Sequence, residues 1–305
     1  QGICEWNTVT ECARTLDTQY YAKGDFTTVR EIPLYNIARI ADEAVNLAVA
    51  RAATRHLEEL APAFDLSGRF SGKEKNNGKI RVGLLSADFS SHPVIQLIIG
   101  LFEHMDKSKF ELFAFDDGKN DPNGETRMLA AMDKHIDVRE QPHLAVAQRV
   151  YDEKIDILID LMGLTTKNRQ EVLALRPCPV TAVFLGFPGT CGLSKIDYII
   201  TDATITPDSS KPHYAEKLCR LPEVFMPNDE KRLIADNPVT RADVGLPEDA
   251  VVFCSFNRSF KLDAESVNLW MRILARVPGS VLWQKADETH MKRVFLDAAA
   301  RHGIA

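Results

Sequence analysis

The chain has 305 residues, a formal net charge of −6 at pH 7, and a composition that is 45% hydrophobic and 26% charged. A chain of this length and hydrophobicity can bury about two cores, so two domains are expected. The charge balance, without a long basic run, argues against nucleic-acid binding through a broad positive surface, and no apolar run reaches the roughly 18 residues that a membrane-spanning helix needs.

The cysteine pattern indicates a reducing compartment. None of the six cysteines forms a C-x-x-C pair, and no histidine spacing is typical of a zinc site. Most of them lie within or beside apolar runs, which predicts buried free thiols rather than disulfides. Because the N-terminal residues also lack the regions of a signal peptide, we expect a cytoplasmic protein. The cysteines are Cys4, Cys12, Cys178, Cys191, Cys219 and Cys254.

The N-terminal region is predicted to be helical. Apolar residues recur at helical spacing in residues 5–21 and again in residues 34–61. These segments could be the end of a helical repeat array, or helices that pack on the rest of the chain. The polar, glycine-rich run 68–78 predicts an exposed connection. Because the chain starts at Gln1 and stops just after a predicted helix, we expect a fragment of a longer protein.

The stretch 79–93, KIRVGLLSADFSSHP, organises the central part of the chain. An apolar, β-rich run, Ile80–Leu85, breaks into small and polar residues, and an apolar segment of helical length follows. That order predicts a buried strand, a loop and a helix. Ligands of open α/β folds bind at the carboxyl ends of such strands. The loop is therefore a candidate functional site.

Two residues of this loop have suitable chemistry. His92 could exchange a proton near neutral pH, and Asp88 could orient or polarise it. The alternative is structural: Asp88 turns the chain, and Ser91 caps a helix that Pro93 begins. The loop residues alone leave both interpretations open.

Strands and helices continue to alternate after this loop, which predicts a parallel, doubly wound sheet. The predicted strands are Phe110–Phe115, Ile155–Ile159, Val180–Leu185 and Tyr198–Thr201, and the predicted helices are 125–132, 144–151 and 171–175. A proline- and charge-rich passage, 222–247, follows. Beyond it a second β-α-β-α unit is predicted, with strands at Val251–Phe256 and Ser280–Trp283 and helices at 264–276 and 288–300.

Two further loops follow predicted strands. In LGFPGT, residues 185–190, two glycines permit a backbone to approach a ligand closely, although a tight turn would also explain them. In FNRSFK, residues 256–261, Arg258 and Lys261 could meet a phosphate near a helix N-terminus, or could belong to a solvated cap. No G-x-G-x-x-G or Walker motif occurs. All three loops follow strands, so all could face one cleft.

Three long motifs resemble the protein O-GlcNAc transferase family. They are RVGLLSADFSSHP, LALRPCPVTAVFLGFPGTCG with IDYIITD, and GLPEDAVVFCSFNRSFKLD with WMRILARVPGSVLW, and they cover most of residues 79–305 in the family's order. The resemblance implies an α/β GT-B fold, in which two Rossmann-like domains hold a nucleotide sugar between them. It implies the end of a tetratricopeptide array and a linker at 1–75, the N-terminal catalytic domain at 76–225, and a connection with the first part of the nucleotide-binding domain at 226–305.

The resemblance also implies a reaction. Family members transfer N-acetylglucosamine from UDP-GlcNAc to serine or threonine hydroxyls of proteins, with inversion and without a required metal or other cofactor. The acceptor proteins would bind through upstream tetratricopeptide repeats. His92 matches the active-site histidine of the D-F-x-x-H-P motif, and Asp88 matches its aspartate, which is also discussed as a proton acceptor.

The other matched residues concern the donor. Leu185 and Gly186 match positions beside the sugar, and Pro188 and Gly189 continue the same loop. Lys261 matches the lysine that contacts the diphosphate and would stabilise the leaving group, which agrees with the need for a cation where negative charge develops.

The chain departs from animal members of the family at several positions. Arg258, a candidate nucleotide contact, stands where they have glutamine. Asp156 stands in place of a second histidine, so no role of that histidine carries over. Val94 replaces a threonine, which removes one polar contact. The family's distal H-T-T nucleotide motif would lie beyond Ala305.

Two alternatives remain open. A SPINDLY-type protein O-fucosyltransferase would use GDP-fucose; IDYIITD fits either enzyme, whereas FNRSFKLD and VPGSVLW favour the first. A non-catalytic scaffold that binds partners through helical repeats belongs to a different class. His92 and Lys261 argue against a scaffold because it needs neither residue. In an enzyme, we predict that these two residues lie on opposite walls of one cleft.

Overall fold

Seven parallel strands form the main sheet of the computed structural model, which describes residues 6–28, 31–67, 78–118, 126–234, 236–285 and 289–304. They are β1 (Ile80–Ser86), β2 (Phe110–Asp116), β3 (Lys134–Asp137), β4 (Ile157–Asp160), β5 (Val180–Val183), β6 (Tyr198–Asp202) and β7 (Lys217–Leu221), and a second sheet holds β8 (Val252–Ser255) and β9 (Val281–Gln284). The main sheet has the order β3-β2-β1-β4-β5-β6-β7, and all its pairs are parallel. The predicted parallel, doubly wound sheet is confirmed.

The position of the site follows from this strand order. The order reverses between β1 and β4, so the carboxyl ends of these two strands border the crevice in which open α/β sheets bind ligands. The loop with Asp88 and His92 leaves the sheet at one side of this crevice.

Helices pack on both faces of the main sheet. In the larger unit they are α2 (Pro33–Arg39), α3 (Glu43–Glu58), α4 (Pro93–His104), α5 (Thr126–Ala131), α6 (His143–Asp152) and α7 (Gln170–Ala174), whereas α1 (Trp6–Thr15), α8 (Ala264–Arg276) and α9 (Thr289–Arg301) belong to the smaller unit. Leu57, Val150 and Val172, from α3, α6 and α7, belong to the first core cluster. Ile98 and Met128, from α4 and α5, belong to the second core cluster. Burial of these apolar side chains from both faces stabilises the sheet.

Three elements differ from the sequence-based expectation. The strands β3 and β7 were absent from it because both are short and mostly polar or exposed, as edge strands often are. The single helical region 34–61 is two helices, because the backbone of Ile40 is extended and Asp42 then caps α3 by accepting the N–H groups of Ala44 and Val45.

The chain divides into two compact units, residues 30–232 and residues 1–29 with 233–305. The smaller unit contains the parallel pair β8–β9, so the predicted second parallel sheet is confirmed. Trp6 of α1 packs against the core of this unit, beside Val267 of α8. No local pattern predicts such a long-range partnership. The assignment of residues 1–75 to a tetratricopeptide end and linker, with the domain boundaries near 76 and 226, stays a prediction.

The proline-rich passage 222–247 begins as part of the larger unit. Phe225 N–H donates to the Asp202 carboxylate at 2.9 Å. Arg127 of α5 donates to both oxygens of Asp229, at 2.6 and 2.8 Å, and also to Glu103 of α4. These contacts hold the passage against α4 and α5 as far as Asp229.

The prediction of buried thiols is wrong for three cysteines. Cys178 and Cys191 are buried and free, but Cys12, Cys219 and Cys254 are free and exposed. Cys219 lies on the edge strand β7, and Cys254 lies on the two-stranded second sheet, so an apolar neighbourhood in sequence did not become a buried one. Among the described residues, no helix is both long and apolar enough to cross a membrane. The cytoplasmic location stays a prediction.

Candidate active site

The loop after β1 is anchored at its start by buried side chains. Ser86, the last residue of β1, is 1% exposed, and its hydroxyl accepts the N–H of Asp88 at 3.0 Å. The same hydroxyl donates to the Met162 sulfur at 3.3 Å. Phe89 inserts into the second core cluster and is 2% exposed. These contacts fix the loop where Asp88 leaves the sheet.

The structure brings Asp88 and His92 together. His92 Nδ1 lies 3.2 Å from a carboxylate oxygen of Asp88, and the side chains are 40% and 21% exposed respectively. His92 Nδ1 also lies 3.4 Å from the Val94 N–H, which makes His92 the N-cap of α4. The two contacts belong to different tautomers, because an unprotonated Nδ1 accepts the Val94 N–H whereas a protonated Nδ1 donates to Asp88. In the tautomer that donates Nδ1–H to Asp88, Nε2 keeps its lone pair and can accept a proton.

The prediction that Ser91 caps this helix is wrong. The cap is His92, whose backbone is extended at φ −107° and ψ 146° directly before Pro93. A residue that precedes proline is driven to this conformation, which is also the conformation of an N-cap. Ser91 lies one residue too early.

Asp88 lies in a mixed electrostatic environment. Burial raises the pKa of its carboxyl group above the usual value, while His92 and Lys167 act in the opposite direction. Lys167 lies on the loop after β4, the strand on the other side of the crevice from β1, and its φ of 64° is in the left-handed region. Sequence reasoning missed this lysine because its influence on Asp88 depends on the folded strand order.

A second acid that was missed, Asp160, ends β4 and is completely buried. Its carboxylate accepts the N–H groups of Met162 and Gly163 at 3.2 and 2.8 Å and the Gln170 side-chain amide at 2.6 Å. Burial raises its pKa to about 7, although these hydrogen bonds oppose the shift. Its sequence signal was an acid at the end of the apolar run IDILID. The carboxylate orders the turn at 161–163.

Asp160 predicts a pH-dependent stability. Because the pKa of Asp160 is raised from 3.8 to about 7, protonation of this side chain favours the folded state. The resulting contribution to the unfolding free energy is fully present below about pH 4 and is lost as the pH rises through 7. The unfolding free energy of the wild type should therefore fall over this interval relative to Asp160→Asn, by on the order of a few kcal/mol. Urea denaturation from pH 4 to 8 measures the difference. Asp152→Asn, at an exposed position, controls for net charge; parallel pH profiles for wild type and Asp160→Asn would contradict the prediction.

The loop after β5 begins with an unusual backbone conformation. Leu185 has φ 74°, in the left-handed region, and the Gly186 N–H donates across it to the Phe184 carbonyl at 3.0 Å. This is the pattern of a strained γ-turn. Gly186 packs so closely that a Cβ atom there would lie 2.0 Å from the Leu161 carbonyl oxygen.

The turns at 161–163 and 185–187 therefore form one layer at the carboxyl edge of the sheet. A Cβ atom on Gly163 would lie 2.4 Å from the Cβ of Phe187, so both turns need glycine for packing against each other. Within the same loop Pro188 is exposed and Gly189 is buried. That Leu185, Gly186, Pro188 and Gly189 contact a donor sugar stays a prediction.

The remaining candidates lie in the smaller unit. Arg258 and Lys261 follow β8, both are exposed, and the Lys261 N–H donates to the Arg258 carbonyl at 3.0 Å within one helical turn. Asp263 then caps α8 by accepting the Ser266 N–H at 2.6 Å. Lys261 thus stands just before a helix N-terminus, as predicted. Its position relative to His92 stays a prediction.

No group of three or more potential ligands that could hold a metal ion occurs within the described ranges. The site that the structure assembles contains an acid–histidine pair, a lysine near the acid, and a layer of two glycine-containing turns. That no metal or other cofactor is required stays a prediction.

Comparison with known proteins identifies the family. The sequence matches the model of glycosyl transferase family 41 over residues 34–239 and 237–305. It is 34% identical over 284 residues to the probable UDP-N-acetylglucosamine–peptide N-acetylglucosaminyltransferase SEC of Arabidopsis thaliana, covering 89% of this chain and 29% of that protein. It is 32% identical over 211 residues to the probable UDP-N-acetylglucosamine–peptide N-acetylglucosaminyltransferase SPINDLY of the same plant, covering 67% of this chain and 22% of that protein.

A solved structure supports the fold. A mutant O-GlcNAc transferase of Thermobaculum terrenum superposes with a TM-score of 0.73 at 24% identity, covering 87% of this chain and 49% of that one. Together with the two parallel sheets, this likeness shows a fold of the GT-B type. The chain belongs to glycosyl transferase family 41. It spans 29% and 22% of the length of the two plant relatives.

Proposed function

We propose that the protein to which this chain belongs transfers N-acetylglucosamine from UDP-GlcNAc to serine or threonine hydroxyls of proteins, with inversion at the anomeric carbon. The observation that carries the proposal is the 3.2 Å contact between His92 Nδ1 and Asp88 at the carboxyl end of β1. Family membership adds weight, because the relatives' names specify this donor and a peptide acceptor.

The proposed reaction is a single displacement. The acceptor oxygen bonds to the anomeric carbon on one face while the bond to the diphosphate oxygen breaks on the other, and that oxygen takes the electron pair. The acceptor proton moves to Nε2 of His92, whose imidazolium form is stabilised by Asp88 through Nδ1–H. The ammonium of Lys261 would stabilise the charge that develops on UDP.

This chemistry needs no redox cofactor, and we propose that no metal is required because Lys261 supplies the positive charge at the leaving group. The partners would be acceptor proteins, held by tetratricopeptide repeats upstream of the chain. We propose no role for nucleic acid, since the net charge is −6.

A donor comparison tests the function. The natural full-length protein is incubated with UDP-GlcNAc or GDP-fucose and a peptide library that contains serine and threonine, and the transferred sugar is identified by mass spectrometry. We expect N-acetylglucosamine on the peptides with UDP-GlcNAc alone, and none on a matched library with alanine at those positions. Fucose transfer would instead indicate a SPINDLY-type fucosyltransferase. No transfer and no binding of UDP or GDP would indicate a scaffold.

A further inference from the structure

The loop after β5 has a buried second half. Beyond the strained turn at Leu185, the chain reaches Thr190, which is 4% exposed, and Cys191, which is fully buried. The strained turn lies only two residues after β5, which ends at Val183. Its geometry therefore depends on what fixes the other end of the loop.

A buried carboxylate fixes that end. Glu216, directly before β7, is 4% exposed. It accepts the Thr190 hydroxyl at 2.6 Å and the Cys191 N–H at 2.7 Å. The Thr190 oxygen in turn accepts the N–H groups of Gly192 and Ala215, at 3.0 and 3.2 Å. These five residues form a closed hydrogen-bond ring that joins two segments of the chain.

Helix α3, from an earlier part of the chain, also contacts this loop. The Thr54 hydroxyl donates to the Cys191 carbonyl at 3.2 Å. Gly192, at φ 68°, lies so close to α3 that an added Cβ would be 2.5 Å from the backbone nitrogen of Arg51. Beyond this half of the loop, Glu58 accepts the Ser194 hydroxyl at 2.7 Å. The second half of the loop is therefore fixed by Glu216 and by α3.

Burial of the Glu216 carboxylate costs free energy, which a purely structural role does not require. A carboxylate that is removed from water loses solvation, and in the described part of the chain its partners are neutral hydroxyl and N–H groups rather than a cation. Two short hydrogen bonds to a charged acceptor offset that loss and are more directional than apolar packing. They specify the loop's conformation rather than simply filling space.

We infer that Glu216 is a positioning residue, which holds the Leu185–Gly189 backbone in the conformation that receives the donor sugar. With β5 fixed at one end and the ring fixed at the other, the turn at Leu185 cannot relax into an ordinary conformation. Without the ring, the loop would gain freedom and release the strain at Leu185. The inference rests on the proposed function for the identity of the ligand, but not for the loop order.

Glu216→Gln in the natural full-length protein is the direct test. Glutamine keeps the shape, but its amide group presents N–H to one of two donors, so one hydrogen bond is lost. We expect the KM for UDP-GlcNAc to rise about tenfold, which equals about 1.4 kcal/mol, while the acceptor KM stays unchanged and kcat falls less than about threefold. Simple destabilisation would lower the active fraction and leave both KM values unchanged.

Glu58→Gln is the matched control. It removes the same kind of acceptor from the same loop, but at exposed Ser194, beyond the ring. We expect its donor KM to match that of the wild type. Equal rises in donor KM for both variants would overturn the assignment to Glu216.

Hydrogen exchange gives a measurement that is independent of activity. In Glu216→Gln, the backbone amides of residues 185–187 and 189 should lose protection by about tenfold or more, while those of β1 and α4 should not. Unchanged exchange at 185–189 together with an unchanged donor KM would overturn the inference. If the wild-type protein transfers no sugar, the proposed function is wrong. If Glu216→Gln nevertheless loses protection at these amides, the dependence of the loop on Glu216 still holds.

If Glu216→Gln does not fold, position 190 supplies the test. Thr190→Ser keeps the hydroxyl of the ring, whereas Thr190→Val removes it with little change in shape. Thr190→Val should loosen 185–189 and raise the donor KM, and Thr190→Ser should restore both. The same behaviour in the two variants would contradict the role of the ring.

Discussion

Replacing His92 with alanine in the full-length protein is expected to lower turnover by roughly a hundred to ten thousandfold, the usual effect of losing a general base. An imidazole is a suitable general base, and Nδ1 of His92 already faces Asp88 at 3.2 Å. Steady-state kinetics with saturating donor and acceptor measure the loss. The acceptor KM should change little, because the effect is on proton transfer.

A helix-capping role needs its own control, because His92 also caps α4. Alanine removes the cap and costs about 1 kcal/mol of stability. His92→Asn restores a good N-cap but supplies no base, so it should be as inactive as the alanine variant while it recovers the melting temperature. Activity in His92→Asn close to that of the wild type would show that the histidine matters for the helix alone.

Asp88→Asn separates two forms of the same mechanism. A loss as large as that of His92→Ala would make Asp88 a proton acceptor or an essential orienting group. A small loss would leave His92 alone in that role. Asparagine keeps a hydrogen-bond acceptor beside Nδ1 but carries no charge, so the comparison isolates the electrostatic contribution.

Lys261→Ala is expected to depress turnover by about a hundredfold or more, the scale of losing one preorganised electrostatic group. Lys261 is the cation nearest the start of α8 on the loop after β8, where it would meet a departing diphosphate. Its effect should lie mainly in kcat, because the charge on the leaving group grows as the bond breaks. Rates measured at saturating UDP-GlcNAc provide the test.

Arg258→Ala is the matched control for this prediction, since Arg258 begins the same helical turn and is also exposed. If the loop attracts the donor only through general positive charge, the two variants should lose similar amounts of activity, mainly through KM. A kcat loss confined to Lys261→Ala supports a contact with the leaving group. Turnover in Lys261→Ala within threefold of the wild type would remove this lysine from the mechanism.

Much of the fold could be predicted from local patterns. The apolar runs of β1, β2, β4 and β5 announce buried parallel strands, because such strands are covered on both faces. The edge strands β3 and β7 carry no such run, and their pairing partners alone define them. The association of Trp6 with Val267 was equally invisible, since 261 positions separate them in sequence.

The same distinction between local patterns and long-range contacts applies to the residues of the candidate site. Asp88 and His92 could be predicted because both lie on one short loop after a strand. Asp160 and Glu216 could not, since their roles come from hydrogen bonds to turns that only the folded chain assembles. Gly186 was predicted to allow the close approach of a ligand, and the structure shows a close approach of the Leu161 carbonyl. Glycine is therefore needed for packing at this position, and a ligand contact of Gly186 stays a prediction.

Leu185 shows what the site gives up in stability. Glycine adopts a φ of 74° without steric penalty, whereas leucine there costs about 1 to 3 kcal/mol. The leucine side chain packs against the second core cluster, which glycine could not do. Substitution by glycine would thus relieve the backbone strain but would lose the apolar contact with the core cluster. Substitution by a β-branched residue would increase the strain. The position therefore accepts few residues, because a replacement must tolerate the left-handed backbone and also cover the second core cluster.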